Sequence, residues 1–235
     1  MQRTWLCKLC ESVSVRQVDS RVLVFFEDNL MPTMPTPAPQ STTESTTETA
    51  TDAERRSEFG EPWRPQQMIE ENPIGISESA VEELIPKLDE IQCTLWTMYH
   101  QYHKHHWLVE GPQFRDLHLF LEENYEEVHK YLDRIAERVT ALGGIPTSAP
   151  DRQAALSHVT HEPEGTYRVR QMLKHDLDAE RTLAMRLRDT IDRAAEHGDH
   201  GTKRELQKVL TAAEDRAHHL DHFLGEDSLE NTSDV

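Results

Sequence analysis

Five imidazole and carboxylate side chains recur at regular spacing in the middle of this chain. They are His106, His118, Glu122, Asp133 and Glu137. Nitrogen and carboxylate ligands suit a redox-active iron ion that must be taken up and released, because thiolate ligands would hold the metal more firmly. We therefore interpret the five residues as metal ligands and iron as the metal.

The spacing prevents one chain from assembling these ligands around one ion. If residues 112–142 form one helix, His118 and Glu122 lie one turn apart on one face. Asp133 and Glu137 repeat that arrangement 15 positions later, about 22 Å away at roughly 1.5 Å per residue. An antiparallel copy of the helix from a second chain brings the first pair of one chain opposite the second pair of the other. This predicts two mixed sites at a two-fold interface.

Three short motifs surround the candidate ligands. They are His106-Trp107-Leu-Val-Glu-Gly-Pro-x-Phe, Leu117-His118, and Leu132-Asp133-Arg-Ile-Ala-Glu137-Arg ahead of Leu142-Gly-Gly. In identity and offset they resemble the Dps mini-ferritins, starvation-induced relatives of ferritin, over roughly residues 77–224. The resemblance implies that His106, His118, Asp133 and Glu137 are ferroxidase ligands contributed across a two-fold interface. The position of Glu122 is usually Asp in the family, so the carboxylate is kept and the iron-to-iron distance is left open.

The resemblance also implies an activity and an assembly. The chain is expected to form a hollow homo-oligomer, a dodecamer built from two-fold dimers, that oxidises Fe(II) preferentially with hydrogen peroxide and stores ferric mineral inside. Removing both reactants protects DNA from hydroxyl radicals. By the same resemblance Trp107 lies beside the site and absorbs stray oxidising equivalents, and Glu123, Glu126 and Glu127 line the cavity where mineral nucleates.

Simpler interpretations exist for each of these residues. His106 falls at the end of a predicted helix, where a histidine often acts as a C-terminal cap. Asp133 and Glu137 are each followed by an arginine, so surface ion pairs that contribute little are an alternative. Trp107 could be a packing aromatic, and Glu123, Glu126 and Glu127 a solvated face. The combination of types and offsets favours the metal site.

Apolar residues in alternating steps of three and four predict four long helices. The first stripe is Val81, Leu84, Leu88, Ile91, Leu95, Met98 and Tyr102, and the second is Leu121, Tyr125, Val128, Leu132, Ile135, Val139 and Leu142. The third helix is expected at about 166–197, and the fourth from a capping box at Thr202 and Glu205 to Leu224. A short helix at 151–158 would lie in the crossover. The prediction is an all-α, ferritin-like four-helix bundle with a short extra helix between helices 2 and 3.

The rest of the chain is divided by composition. Residues 1–55 are predicted to be a disordered or mis-annotated N-terminal extension, with a natural start at Met31 or Met34 and an isolated Cys7-x-x-Cys10 motif. Residues 56–76 are expected to be an extended segment, 77–225 the bundle, and 226–235 an acidic tail.

Composition restricts location and partners. The formal charge is −18, with 18 Arg against 7 Lys, and a strongly acidic, lysine-poor surface suggests a halophilic cytoplasm. Direct DNA binding is not expected, because phosphate affinity comes chiefly from Lys and Arg. Only three cysteines and no apolar run of membrane-spanning length predict a cytoplasmic protein without a membrane partner.

Two competing functions remain at this stage. One is an intrachain di-iron oxidase that uses Glu126-x-x-His129 and Asp215-x-x-His218 as ligand motifs inside the bundle. The other is a DNA-compacting protein, which would require a basic tail, whereas the tail here is Thr-rich and acidic.

Overall fold

The computed structural model describes residues 59–225. The predictions for residues 1–55 and 226–235, including the Cys7-x-x-Cys10 motif and the position of the natural start, lie outside the described residues. Residues 60–77 form no helix or strand.

Five helices and no strand make up the regular structure of residues 59–225. They are α1 (Glu78–Leu108), α2 (Phe114–Ala141), α3 (Pro150–Leu156), α4 (Val169–Glu196) and α5 (His200–Phe223). The all-α prediction is confirmed, and α3 is the expected short helix in the crossover between the second and third long helices. Within the described residues, no helix combines the length and apolar composition that a membrane span requires.

The four long helices pack as two pairs, α1 with α2 and α4 with α5, and α1 and α2 contact α4 and α5 respectively. The apolar stripes of the sequence form one core, in which Leu95, Val128, Leu183 and Leu206 are fully buried. Each buried Leu or Val contributes about 1.5–3 kcal/mol relative to an exposed one. The bundle therefore rests on these stripes.

α1 begins at Glu78, close to the predicted start of the bundle at residue 77, and Pro86 lies inside it. The start of α5 differs from the prediction. α5 begins two residues before Thr202, and its N-cap is Asp199, whose side chain accepts a hydrogen bond from the Thr202 backbone N–H at 2.9 Å. The capping box at Thr202 is wrong because Asp199 is the stronger cap and Glu205 binds Arg134 instead.

The turn after α2 requires glycine. Gly143 has φ +88°, and a Cβ at this position would lie 2.1 Å from the backbone oxygen of Glu70. The Glu70 N–H donates to the Gly143 carbonyl at 3.0 Å, and Arg64 donates to the same oxygen. The segment before α1 is thereby fixed to the end of α2.

Glu162 attaches the crossover to the bundle. Its carboxylate is buried and lies 2.7 Å from Lys104 Nζ on α1, and it accepts a hydrogen bond from His175 Nδ1 on α4 at 2.9 Å. Burial raises the pKa of Glu162, but the hydrogen bonds from Lys104 and His175 outweigh burial and lower it from 4.5 to about 2. The ionised carboxylate is thus the form that the fold stabilises.

We expect the folded protein to lose stability in acid, because the ionised Glu162 carboxylate becomes protonated. A carboxyl whose folded pKa is lowered contributes stability that is present above its unfolded value and lost as pH falls through the folded value. The urea concentration at the unfolding midpoint should therefore decrease as the pH is lowered from 4.5 to about 2. Glu162→Gln should be less stable at pH 7 and lose less over the same window. If the urea midpoints of the wild-type protein and of Glu162→Gln change equally with pH, Glu162 is not the carboxylate responsible.

Candidate metal centre

A short loop brings the end of α1 against the start of α2. The loop covers residues 109–113, in which Val109 is buried and Gly111 has φ +102°. His106 lies in the last turn of α1 and His118 in the second turn of α2. The hairpin therefore places the two imidazoles side by side.

The two imidazoles are held by reciprocal hydrogen bonds. His106 Nδ1 lies 2.9 Å from the His118 backbone oxygen, and His118 Nδ1 lies 2.9 Å from the His106 backbone oxygen. The rings stack with centroids 3.7 Å apart and planes 20° from parallel. Phe114 stacks on the other side of His118 at 4.9 Å.

These bonds determine which nitrogens are available to a metal. A carbonyl oxygen can only accept, so both Nδ1 atoms carry a hydrogen. In a neutral ring the lone pair is then on Nε2, which no described residue engages in either histidine. Backbone carbonyls orient metal-binding histidines in this way in many proteins. The Nε2 lone pair of each histidine is therefore available to a metal ion.

Glu122 follows His118 by one helical turn and is half-buried. The Tyr125 hydroxyl lies near this carboxylate, and the pKa of Tyr125 is raised by burial first and then by the charges of Glu122 and Glu126. The Tyr125 ring also lies 5.3 Å from the His106 ring. Tyr125 was assigned to the apolar stripe from the sequence, but its hydroxyl belongs to this site.

A stack of three rings adjoins the imidazole pair. His103 lies between Trp107 and Tyr125, with centroid separations of 4.3 Å to each. Trp107 is 65% exposed, and its ring packs against that of His103. From the sequence, His103 could belong to an iron-conducting path, an accessory metal site or a hydrated surface, and nothing in the local pattern indicates that it lies between two aromatic rings.

Asp133 and Glu137 lie on the same helix as His118, and both are exposed. The arginine that follows each carboxylate points elsewhere: Arg134 binds Glu205, and Arg138 binds Asp199 at 2.7 Å. Among the described residues, neither carboxylate has an ion pair or a side-chain hydrogen bond. The ion-pair alternative of the sequence analysis is therefore not what the structure shows.

One chain does not complete a metal site from the described residues. No group of three or more His, Cys, Asp or Glu side chains between residues 59 and 225 is arranged to hold an ion. The structure joins His106 to His118 and places Glu122 one turn further on. It leaves Asp133 and Glu137 about 22 Å away along α2, at roughly 1.5 Å per residue.

The three acidic residues expected at a mineral surface differ in environment. Glu123 and Glu126 are exposed. Glu127 is half-buried and accepts a hydrogen bond from Arg216 Nη1 at 2.7 Å. Glu123 and Glu126 are thus more available to a cation than Glu127.

The centre of the bundle holds a different polar group. Glu180 is fully buried and accepts hydrogen bonds from the Tyr102 hydroxyl at 2.7 Å and from Arg216 Nε at 2.6 Å. The residues of the intrachain di-iron alternative point outward, and all four are exposed: Glu126, His129, Asp215 and His218. A guanidinium at the bundle centre opposes binding of a metal cation there.

Comparisons with known proteins agree on one family. Residues 85–229 match the model of the ferritin-like domain. A Nostoc protein named nutrient stress-induced DNA-binding protein is 35% identical over 161 residues, 68% of this chain and 88% of the relative. A Halobacterium salinarum protein named DNA protection during starvation protein is 39% identical over 148 residues, 63% of this chain and 81% of the relative. The crystal structure of an archaeal Dps homologue from Halobacterium salinarum has a TM-score of 0.71 at 34% identity, covering 74% of this chain and 97% of that one.

Proposed function

The chain belongs to the Dps family of ferritin-like proteins, and from this premise we propose that it oxidises Fe(II) at sites shared between two subunits. The observation that carries the proposal is the incomplete site. His106 and His118 present two oriented imidazoles with Glu122 beside them. The carboxylates of Asp133 and Glu137 stand exposed at the other end of the same helix, without partners among the described residues.

A two-fold axis would unite the two halves. When two copies of α2 run antiparallel across an isologous interface, the imidazole end of each copy faces the carboxylate end of the other. Each dimer then has two equivalent sites with both nitrogen and oxygen ligands. Further assembly of such dimers into a hollow cage, a dodecamer as the family resemblance implies, would enclose the space where ferric product collects.

The chemistry of this site concerns iron as substrate. The carboxylates lower the net charge of a bound iron pair and favour Fe(III), while the neutral imidazoles moderate that preference. Hydrogen peroxide accepts two electrons, one from each of two Fe(II) ions, and its O–O bond breaks. With two protons the products are two Fe(III) ions and two molecules of water, so no hydroxyl radical is released.

Trp107 and two of the glutamates have supporting roles in this proposal. If only one Fe(II) is present, peroxide receives one electron and a second is missing. We assign the supply of that electron to Trp107, whose ring centroid lies 4.3 Å from that of His103. We assign Fe(III) binding at the start of mineral formation to the exposed carboxylates of Glu123 and Glu126, with a smaller part for Glu127 because Arg216 holds it.

DNA protection in this proposal comes from removing Fe(II) and peroxide rather than from covering DNA. Two relatives carry names that refer to DNA binding or DNA protection. The formal charge of −18 disfavours direct binding to phosphate. We therefore place the protein among the iron-detoxifying members of its family, acting in the cytoplasm.

We expect His106→Ala combined with Glu137→Ala to abolish rapid Fe(II) oxidation and to leave the oligomer assembled. Each site would lose one nitrogen and one oxygen ligand, whereas the apolar core is untouched. Stopped-flow absorbance of Fe(III) and size-exclusion mass measure the two properties. The matched control is His129→Ala with Asp215→Ala, which removes ligands of the intrachain alternative. Wild-type oxidation in the first variant, or its loss in the control, would refute the site.

A further inference from the structure

A second group of histidines lies on α5, on residues that the proposed iron site does not use. His218 and His222 are both exposed, with ring centroids 4.4 Å apart and planes at 86°. Among the described residues neither ring has a hydrogen bond or an ion pair. The ring of His219 between them lies 6.1 Å from Phe120 and 5.9 Å from the ring of His218, and successive residues on a helix do not share a face.

The spacing of the pair is that of a helical chelate. Residues four positions apart lie on one face of a helix with Cβ atoms about 5–6 Å apart. Two histidines in this relation bind zinc in helical metal motifs, with each ring nitrogen about 2.0–2.1 Å from the ion. Both rings are exposed, so their side-chain torsions can turn to bring one nitrogen of each towards a common ion.

The surroundings favour a cation. Glu214 lies one turn before His218, and Asp221 lies beside His222. The two arginines nearby already have acidic partners, since Arg188 binds Glu214 at 2.6 Å and Arg181 lies 3.7 Å from Asp221. Arg170 donates a hydrogen bond to the Leu224 carbonyl at 2.8 Å near the end of the same helix, but the chain as a whole is acidic and attracts cations.

We propose that His218 and His222 chelate one divalent transition-metal ion of the borderline class, such as Zn²⁺, Ni²⁺ or Cu²⁺, at the surface of α5. Two imidazoles occupy two positions of the ion, and water fills the others, because no third His, Cys, Asp or Glu of the described residues completes a ligand set. Imidazole suits Zn²⁺, Ni²⁺ and Cu²⁺ better than it suits Mg²⁺ or Ca²⁺. The site would give this protein a capacity for non-iron metals that is separate from Fe(II) oxidation.

The order of affinities follows from the ligand type. For a given nitrogen site, divalent affinity rises from Fe²⁺ through Ni²⁺ to Cu²⁺ and falls again at Zn²⁺. The pair should therefore bind Cu²⁺ most tightly and Fe²⁺ weakly. Ferrous iron would pass this site without being retained, while a competing metal would be held there.

Equilibrium dialysis of the metal-free full chain against Zn²⁺ tests the proposal. The wild-type protein should bind one more Zn²⁺ per chain than His218→Gln, and His222→Gln should lose the same ion, because one imidazole alone does not form the chelate. His219→Gln is the matched control, since it removes a neighbouring imidazole from another side of the helix and should bind as many ions as wild type. The Cu²⁺ electron paramagnetic resonance spectrum should lose nitrogen couplings only in the first two variants.

Two outcomes would overturn the proposal. One is an unchanged Zn²⁺ count in both His218→Gln and His222→Gln, and the other is an equal loss in His219→Gln. Fe(II) oxidation should stay at the wild-type rate in all three variants. The Zn²⁺ count and the oxidation rate are measured separately, so failure of the iron proposal would leave the Zn²⁺ result interpretable.

Discussion

Two inactive variants should recover Fe(II) oxidation when they are assembled together. One carries His118→Ala and Glu122→Ala, and the other carries Asp133→Ala and Glu137→Ala. In a mixed dimer one site receives the intact half of each chain, and the other site receives both defective halves. Random pairing should therefore restore about a quarter of wild-type capacity, because half of the dimers are mixed and each has one working site of two.

The control for this experiment still forms mixed oligomers, but its two chains cannot complete a site together. The variant with His118→Ala and Glu122→Ala is mixed with a chain that carries all four substitutions. No interface then has both intact halves, and no recovery is expected. Co-expression or refolding from unfolded chains ensures mixing. If mass spectrometry verifies mixed oligomers and the first mixture still oxidises no faster than either parent, the ligands do not meet across an interface.

The two proposed ligand pairs could be predicted from the sequence because helical geometry determines their spacing. His118 and Glu122 are four positions apart, as are Asp133 and Glu137, and α2 is one continuous helix over Phe114–Ala141. Four-residue spacing places side chains on one face whatever the surroundings. The same reasoning explains why the following arginines bind α5 and the residue before it, since adjacent residues on a helix do not face each other.

The contacts around the proposed ligands could not be predicted from the sequence. The reciprocal bonds between His106 and His118 depend on the path of the loop at 109–113, which no periodic pattern encodes. Tyr125 fits a stripe of steps of three and four, and such a stripe does not distinguish a core aromatic from one whose hydroxyl reaches a carboxylate. The neighbours of the ring decide that difference, and two of them, His103 and His106, come from α1.

The fold was predicted in class and element order for a similar reason. Apolar periodicity identified four long helices and a short one, but helix ends depend on competing caps. At the start of α5, Asp199 binds both the Thr202 backbone and Arg138 of α2. The partner on α2 is distant in sequence, so the local pattern at Thr202 and Glu205 gave a later start than the structure has.

Arg216→Met should destabilise the bundle by about 3–5 kcal/mol at pH 7, since it leaves a buried charge without its partner. Arg216 and Glu180 are 3% and 0% exposed, and the guanidinium donates two hydrogen bonds to the carboxylate at 2.6 and 3.0 Å. Glu127, the other partner of Arg216, is only half-buried, so solvent can replace its lost bond. The urea midpoint measures the change.

The pH dependence of that loss identifies Glu180 as its cause. Burial raises the pKa of Glu180, and Arg216 opposes this rise more than the Tyr102 hydrogen bond does. Without Arg216 the folded protein binds a proton on Glu180 that the unfolded chain does not, so the variant should regain stability as pH falls from 7 towards 5. Arg216→Met with Glu180→Gln should recover most of the loss at pH 7, because the amide is neutral and its oxygen can still accept the Tyr102 hydroxyl. An Arg216→Met variant whose deficit is equal at both pH values, or that the second substitution does not rescue, would show that the guanidinium stabilises the bundle by packing rather than by charge.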